Sequence, residues 1–236
     1  MSVAYAPPAA NHIPFGVVGR TPASQESEAA VDLSLSAVGI RTRFARGETI
    51  FAEGDDAISS YRVVKGAIRL CKHLSDGRRQ IADFVLPGDY CGFLPLAKHR
   101  FTGEAASDLE VIMYPQRKIE MLGENSPAIR RLLADFVGRR LSSVQDHLII
   151  LGRQTARERV MSFLLILAEA ARAKDAEPIL LPMNRQDIAD YLGLTIETVC
   201  RVMSELKRSR LIGAPDLHSF TIRDIERLRD LVEFGE

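Results

Sequence analysis

Residues 184–212 read NRQDIADYLGLTIETVCRVMSELKRSRLI, and two helices can be traced in them. The first runs from Arg185 to Leu192 and places Ile188, Ala189 and Leu192 on one face. Gly193-Leu194-Thr195 is a short turn, where glycine lets the backbone leave the first helix in a left-handed conformation. Thr195 then suits the N-cap of a second helix, with Val199, Val202, Met203 and Leu206 as its buried stripe. Two helices joined by a short glycine-containing turn form the helix-turn-helix pattern. The N-terminal part of the second helix of that motif reads base edges in the major groove.

The positions expected to be exposed there are Ile196, Glu197, Cys200 and Arg201. Glu197 and Arg201 are four residues apart and share a face. Arginine can donate two hydrogen bonds to guanine O6 and N7, and glutamate can accept one from cytosine N4. The pair suits a half-site containing a G·C pair. The competing reading is an ordinary solvent-facing ion pair. The helix ends in Lys207 and Arg208, with Arg210 beyond, a basic cluster suited to phosphates.

Working upstream, Thr155-x-x-Glu158 is a capping box opening a helix whose apolar face holds Val160, Phe163, Leu164 and Leu167. Residues 153–154 are the candidate hinge before it. Asn125-Ser126-Pro127 marks the start of a longer helix, with Ser126 as N-cap and Pro127 at its first position. Along it Ala134, Val137, Leu141, Val144, Leu148 and Leu151 follow a 3-4-3-4-3 spacing, an a/d seam. Such a seam can bury itself against its parent domain or against a second copy of the chain. From about residue 40 to 114 the texture changes to short strand-like runs between recurring glycines. Asp76-Gly77 is a hairpin signal and Pro87-Gly88-Asp89 another turn. Short strands at that spacing indicate a sandwich or barrel. Residues 1–28 are rich in Pro, Ala and Ser and read as a flexible leader.

The 236 residues carry 31 Lys+Arg against 31 Asp+Glu, a formal net charge of zero, with 46% hydrophobic residues. This is a globular composition. No apolar run is long enough for a transmembrane helix, and the N-terminus lacks the pattern of a secretory signal, so a cytoplasmic protein with no membrane partner is expected. Zero net charge does not exclude DNA, because the charge is uneven: in 195–212 and 126–153 the bases outnumber the acids. P-loop, G-x-S-x-G, H-E-x-x-H and dinucleotide glycine motifs are missing from the sequence, so an enzyme is not expected.

The glycine-punctuated β segment, the seam helix and the C-terminal motif together resemble the CRP/FNR superfamily of bacterial transcription regulators over about 40–225. The most specific part is Gln186-Asp187-Ile188-Ala189-x-Tyr191-Leu192-Gly193-Leu194-Thr195-x-Glu197-Thr198-Val199-x-Arg201, which is similar to the FNR/FixK branch. Val64-Lys65-Gly66 and Pro87-Gly88-Asp89 match the family's β-roll turns. The resemblance implies an α+β fold in four parts. These are the leader (1–28), a cyclic-nucleotide-binding-like β-roll or double-stranded jelly roll (29–125), a dimerisation helix (126–152) and a winged helix-turn-helix (153–236). It implies a homodimer joined through Val137, Leu141, Val144, Leu148 and Leu151. Double-stranded DNA with an inverted repeat and RNA polymerase are the implied partners. It assigns base contacts to Ile196, Glu197, Cys200 and Arg201, and phosphate contacts to Arg185, Thr195, Thr198, Lys207 and Arg208. Aliphatic Ile196 can pack on a thymine methyl but cannot donate to guanine, which favours TTGA-like half-sites. FixK-type members switch on genes for microaerobic respiration and nitrogen fixation.

No metal or cofactor is expected. An FNR-type [4Fe–4S] centre needs four ligands, and this chain has only Cys71, Cys91 and Cys200. The family's cyclic-nucleotide pocket uses Gly-Glu for the ribose and Arg-Ser for the phosphate. Here Gly92 is followed by Phe93, and Arg100-Phe101-Thr102 does not reproduce Arg-Ser. Cys91 has no histidine among its sequence neighbours to suggest haem. A second reading of the whole is a ligand-gated regulator sensing a small molecule in the β-roll. Cys200 also has two readings: a small side chain tuning the fit to the groove, or a thiol whose oxidation would bring negative charge towards phosphate.

Overall fold

The computed structural model describes residues 38–92, 97–214 and 216–234. The leader and Phe93, on which the ribose argument turns, lie outside them. The N-terminal part is built from two four-stranded antiparallel sheets. One has the order β1 (Ile40–Phe44), β8 (Leu109–Pro115), β3 (Ser59–Lys65), β6 (Tyr90–Cys91). The other runs β2 (Thr49–Phe51), β7 (Thr102–Ala105), β4 (Ile68–His73), β5 (Arg79–Val85).

Phe51, Tyr61, Val63, Ile68, Val85, Leu109 and Val111 form their shared core. Gly66 turns the chain between β3 and β4 at φ +83°, and a Cβ there would lie 2.3 Å from the Asp108 carbonyl oxygen. Both the backbone conformation and the space therefore require glycine. Gly77 (φ +84°) closes the β4–β5 hairpin, where Leu74 N–H donates to the Arg78 carbonyl.

Helix α1 (Gln116–Asn125) leads into α2 (Pro127–Arg153), whose N-cap Ser126 accepts from Ile129 N–H. α2 ends at Gln154, which is extended, and α3 (Ala156–Ala171) starts at once from the Thr155/Glu158 capping box. The C-terminal part adds α4 (Arg185–Leu192), α5 (Ile196–Arg208) and α6 (Ile225–Glu233). A small antiparallel sheet of β10 (Ile212–Gly213), β11 (Ser219–Ile222) and β9 (Ile179–Leu180) completes it as a wing. In β11 the burial alternates, so Phe220 and Ile222 enter the core, each worth about 1.5–3 kcal/mol.

The two halves share one apolar core. Ala67, Cys71, Ile81, Phe84, Leu86 and Ala106 of the β-roll join the interior of α3–α6. Phe84 packs its ring against Phe163 and Tyr191, with centroids 6.1 and 5.3 Å apart. Tyr191 stacks at 4.2 Å on His147 of α2. Arg140 of α2 pairs with Asp83 of β5.

Candidate DNA interface

Asn184 caps α4 by accepting from Asp187 N–H, and the Asp187 carboxylate accepts from Asn184 N–H in return. Gly193 ends α4 in the left-handed conformation (φ +63°, ψ +39°). A Cβ at Gly193 would meet only ordinary contacts, so the backbone angle, not space, selects glycine there. Thr195 then caps α5 through Thr198 N–H. Val199, Val202, Met203 and Leu206 are buried beneath it.

On the opposite face Glu197, Cys200 and Arg201 are exposed. Among the described residues no ion pair joins Glu197 to Arg201, and both are exposed. Hydrogen bonds to its own backbone N–H and to Thr195 hold the Glu197 carboxyl below its usual pKa, so it is an acceptor at neutral pH. Ile196 differs from the sequence reading of an exposed side chain: it is half-buried and leans on the shared core. Its apolar side chain is drawn towards the core rather than left wholly to solvent.

The residues assigned to phosphate are not alike. Arg208 is exposed. Thr195 and Thr198 face each other, their hydroxyl oxygens 3.1 Å apart. Lys207 is exposed but its Nζ donates to the Ala214 carbonyl at 3.0 Å, tying α5 to the wing. Arg185 lies close to Cys200, and its Nη1 is buried with no hydrogen-bond partner. Loss of solvent lowers the Arg185 pKa, and the nearby Cys200 thiol opposes that.

Along α2 the seam points outward. Val137, Leu141, Val144 and Leu148 are exposed, Leu141 by 59% and Leu148 by 64%. The parent domain therefore does not bury them. Leu151 is half-buried, and a Cβ at Gly193 would lie 3.8 Å from its Cδ2, so the last seam residue reaches the helix-turn-helix turn.

Arg159 was not singled out by sequence. Its guanidinium donates to three backbone carbonyls: Leu151 at the end of α2, Gln154 at the hinge and Leu192 at the end of α4. A single arginine on a helical pattern gives no sign of such a role.

Cys71 and Cys91 are buried, and loss of solvent pushes their thiols up to about 11 and about 12. Cys200 is the exposed cysteine. A cavity of about 700 Å³ lies between the β-roll and the wing, lined in part by Lys65, Leu86, Leu167, Leu181 and Met183. The sequence would put an effector inside the roll; this space is outside it.

The geometry defines a winged helix-turn-helix regulator carried on a β-roll. Residues 158–231 match the Crp-like helix-turn-helix domain, and residues 41–126 match the cyclic nucleotide-binding domain. The chain is 42% identical over 178 residues to the nitrogen fixation regulation protein FixK of Bradyrhizobium diazoefficiens, covering 75% of each. It is 40% identical over 210 residues to the FixK of Rhizobium meliloti, covering 89% of this chain and 95% of that one. The structure of FixK2 from Bradyrhizobium japonicum superposes with a TM-score of 0.77 at 38% identity, over 82% of this chain and 97% of the other. The chain belongs to the CRP/FNR family of transcription regulators. Within it, the chain is a regulator of FixK type, a DNA-binding protein from a family of dimers.

Proposed function

We propose that two copies pair through the exposed seam of α2 and present their α5 helices to successive major grooves of an inverted repeat with TTGA-like half-sites. Arg201 donates to guanine O6 and N7, Glu197 accepts from cytosine N4, and the exposed part of Ile196 meets a thymine methyl. Arg185, Thr195, Thr198 and Arg208 hold the phosphates, with Lys207 sharing its donors between the wing and the backbone. The protein acts in the cytoplasm as an activator, with RNA polymerase as its second partner, on genes for microaerobic respiration and nitrogen fixation. The observation carrying this reading is the exposed, mutually unpaired Glu197/Arg201 face on a helix whose other face is buried. No helix among the described residues is long and apolar enough to cross a membrane.

Selection of bound sequences from a random DNA pool by the purified protein tests it. The expected product is a two-fold symmetric site with TTGA-like arms, obtained without any added effector. Recovery of sites only after a small molecule is supplied would instead favour ligand gating.

For Cys200 the main reading is groove fit. Oxidation is favoured by one observation: it is exposed while Cys71 and Cys91 are buried. Peroxide treatment before a gel-shift assay separates the two. Equal loss of binding by wild type and Cys200→Ser would end the redox reading.

A further inference from the structure

Arg69 of β4 and Arg79 of β5 both reach the first helix of the helix-turn-helix. Arg69 Nη1 lies 3.2 Å from one carboxylate oxygen of Asp187 and 3.3 Å from the other. Arg79 Nη2 donates to Asp187 at 2.6 Å and also to Asp190, which accepts from Arg79 Nε at 2.8 Å. Gln80 Nε2 donates to the Asp190 carbonyl at 2.7 Å. The other side of Arg69 is held by Glu104 of β7 at 2.8 Å. Asp187 itself is fully buried, with a side-chain exposure of 0%. A fully buried carboxylate is costly without charged partners, so Asp187 favours the arrangement in which both guanidiniums are seated on it.

Two features give the network more than a packing role. First, it holds α4 at Asp187 in the first turn and at Asp190, while Arg159 holds the last residue through the Leu192 carbonyl. One point of attachment leaves α4 free to rotate about it. Attachments spread from Asp187 to Leu192, roughly 7.5 Å along five residues of helix, define its tilt. Second, α4 and α5 pack as one unit around the Gly193 turn, so the tilt of α4 is the tilt of the recognition helix. In a dimer built on α2, that tilt sets the distance between the two α5 helices.

We infer that Arg69, Arg79 and Gln80 are positioning residues for DNA recognition. The β4–β5 hairpin holds Asp187 and Asp190 and thereby sets the spacing of half-sites the dimer accepts. This rests on the inverted-repeat reading above. It adds that the β-roll has a direct hold on the DNA-reading unit, separate from the hinge at Gln154. Displacement of the hairpin within the roll would be transmitted to α5 through these three side chains.

The test uses full-length protein and a library of one fixed inverted repeat in which only the spacer length varies. Wild type should prefer one spacer over its neighbours by roughly tenfold. Arg79→Gln should flatten the preference to about threefold or less, with half-site sequence unchanged. Gln80→Ala and Asp190→Asn are milder and decide the matter should Arg79→Gln fail to fold, as checked by thermal melting and by light scattering for the dimer. A purely structural role would lower the folded fraction but leave the spacer preference of the folded dimer intact. A fixed wild-type spacer retained by every folded variant overturns the positioning role alone. A wild-type protein with no preferred spacer overturns the operator reading and the positioning role together.

Discussion

Arg201 and Glu197 sit where sequence periodicity puts them, because α5 has a buried stripe that leaves only one face for solvent. Arg201→Ala should cost about 1–3 kcal/mol of discrimination at the guanine position and relax specificity there. Binding-site selection checks it, and unchanged base preference would remove Arg201 from the contact set. Ile196 shows the limit of residue-level reading. Its helical position is exposed in projection, yet its side chain is half-buried against the shared core. Lys207 shows another limit: it was legible as a basic residue, but its tie to the Ala214 carbonyl depends on where the wing starts.

At the scale of elements, the seam of α2 was legible as a spacing but not as an interface. The 3-4-3-4-3 pattern is equally consistent with burial in the parent domain. What separates the alternatives is that α1 and the β-roll contact another face of α2, through Ile129 and Phe136. Leu141 and Val144 are left uncovered. Leu141→Glu should therefore yield folded monomers, since two like charges would face each other across the seam. Light scattering and a thermal melt on the same sample check this. A folded dimer would show that the copies meet elsewhere. The capping boxes at Thr155/Glu158 and Asn184/Asp187 belong to the same scale, and both are local. A side chain and a backbone N–H three residues apart meet whatever surrounds them, which is why such signals survive in sequence.

At the scale of the whole molecule, the joint between α2, α4 and the β-roll is where sequence reading fell short. His147, Tyr191 and Phe84 are far apart in the chain and form one ring cluster, His147 stacked on Tyr191 and Phe84 tilted against it. Loss of solvent lowers the His147 pKa to about 4; a hydrogen bond with the Tyr191 backbone opposes this, and the Arg159 charge adds to it. The folded protein thus holds His147 neutral, whereas the unfolded chain protonates near 6.5. Between those values the unfolded state binds more protons. The stability contributed by neutral His147 is present above pH 6.5 and is lost as pH falls towards 4. Denaturant unfolding across that window should show a slope that His147→Gln reduces. An unchanged slope would mean that other groups carry it.

Local patterns in the residue order account for the parts: a glycine-turned β-roll, a long helix with an apolar seam, capped helices, and a recognition helix bearing Glu197 and Arg201. Each is set by interactions between residues a few positions apart, through φ preferences, caps and helical or strand periodicity. How the parts are held together emerges in the folded chain instead. Arg69 and Arg79 lie more than a hundred residues from the Asp187 they bind. Arg159 joins three carbonyls that no spacing connects. Ion pairs and stacked rings across such separations have no period, because they depend on the path of the whole chain rather than on its local geometry.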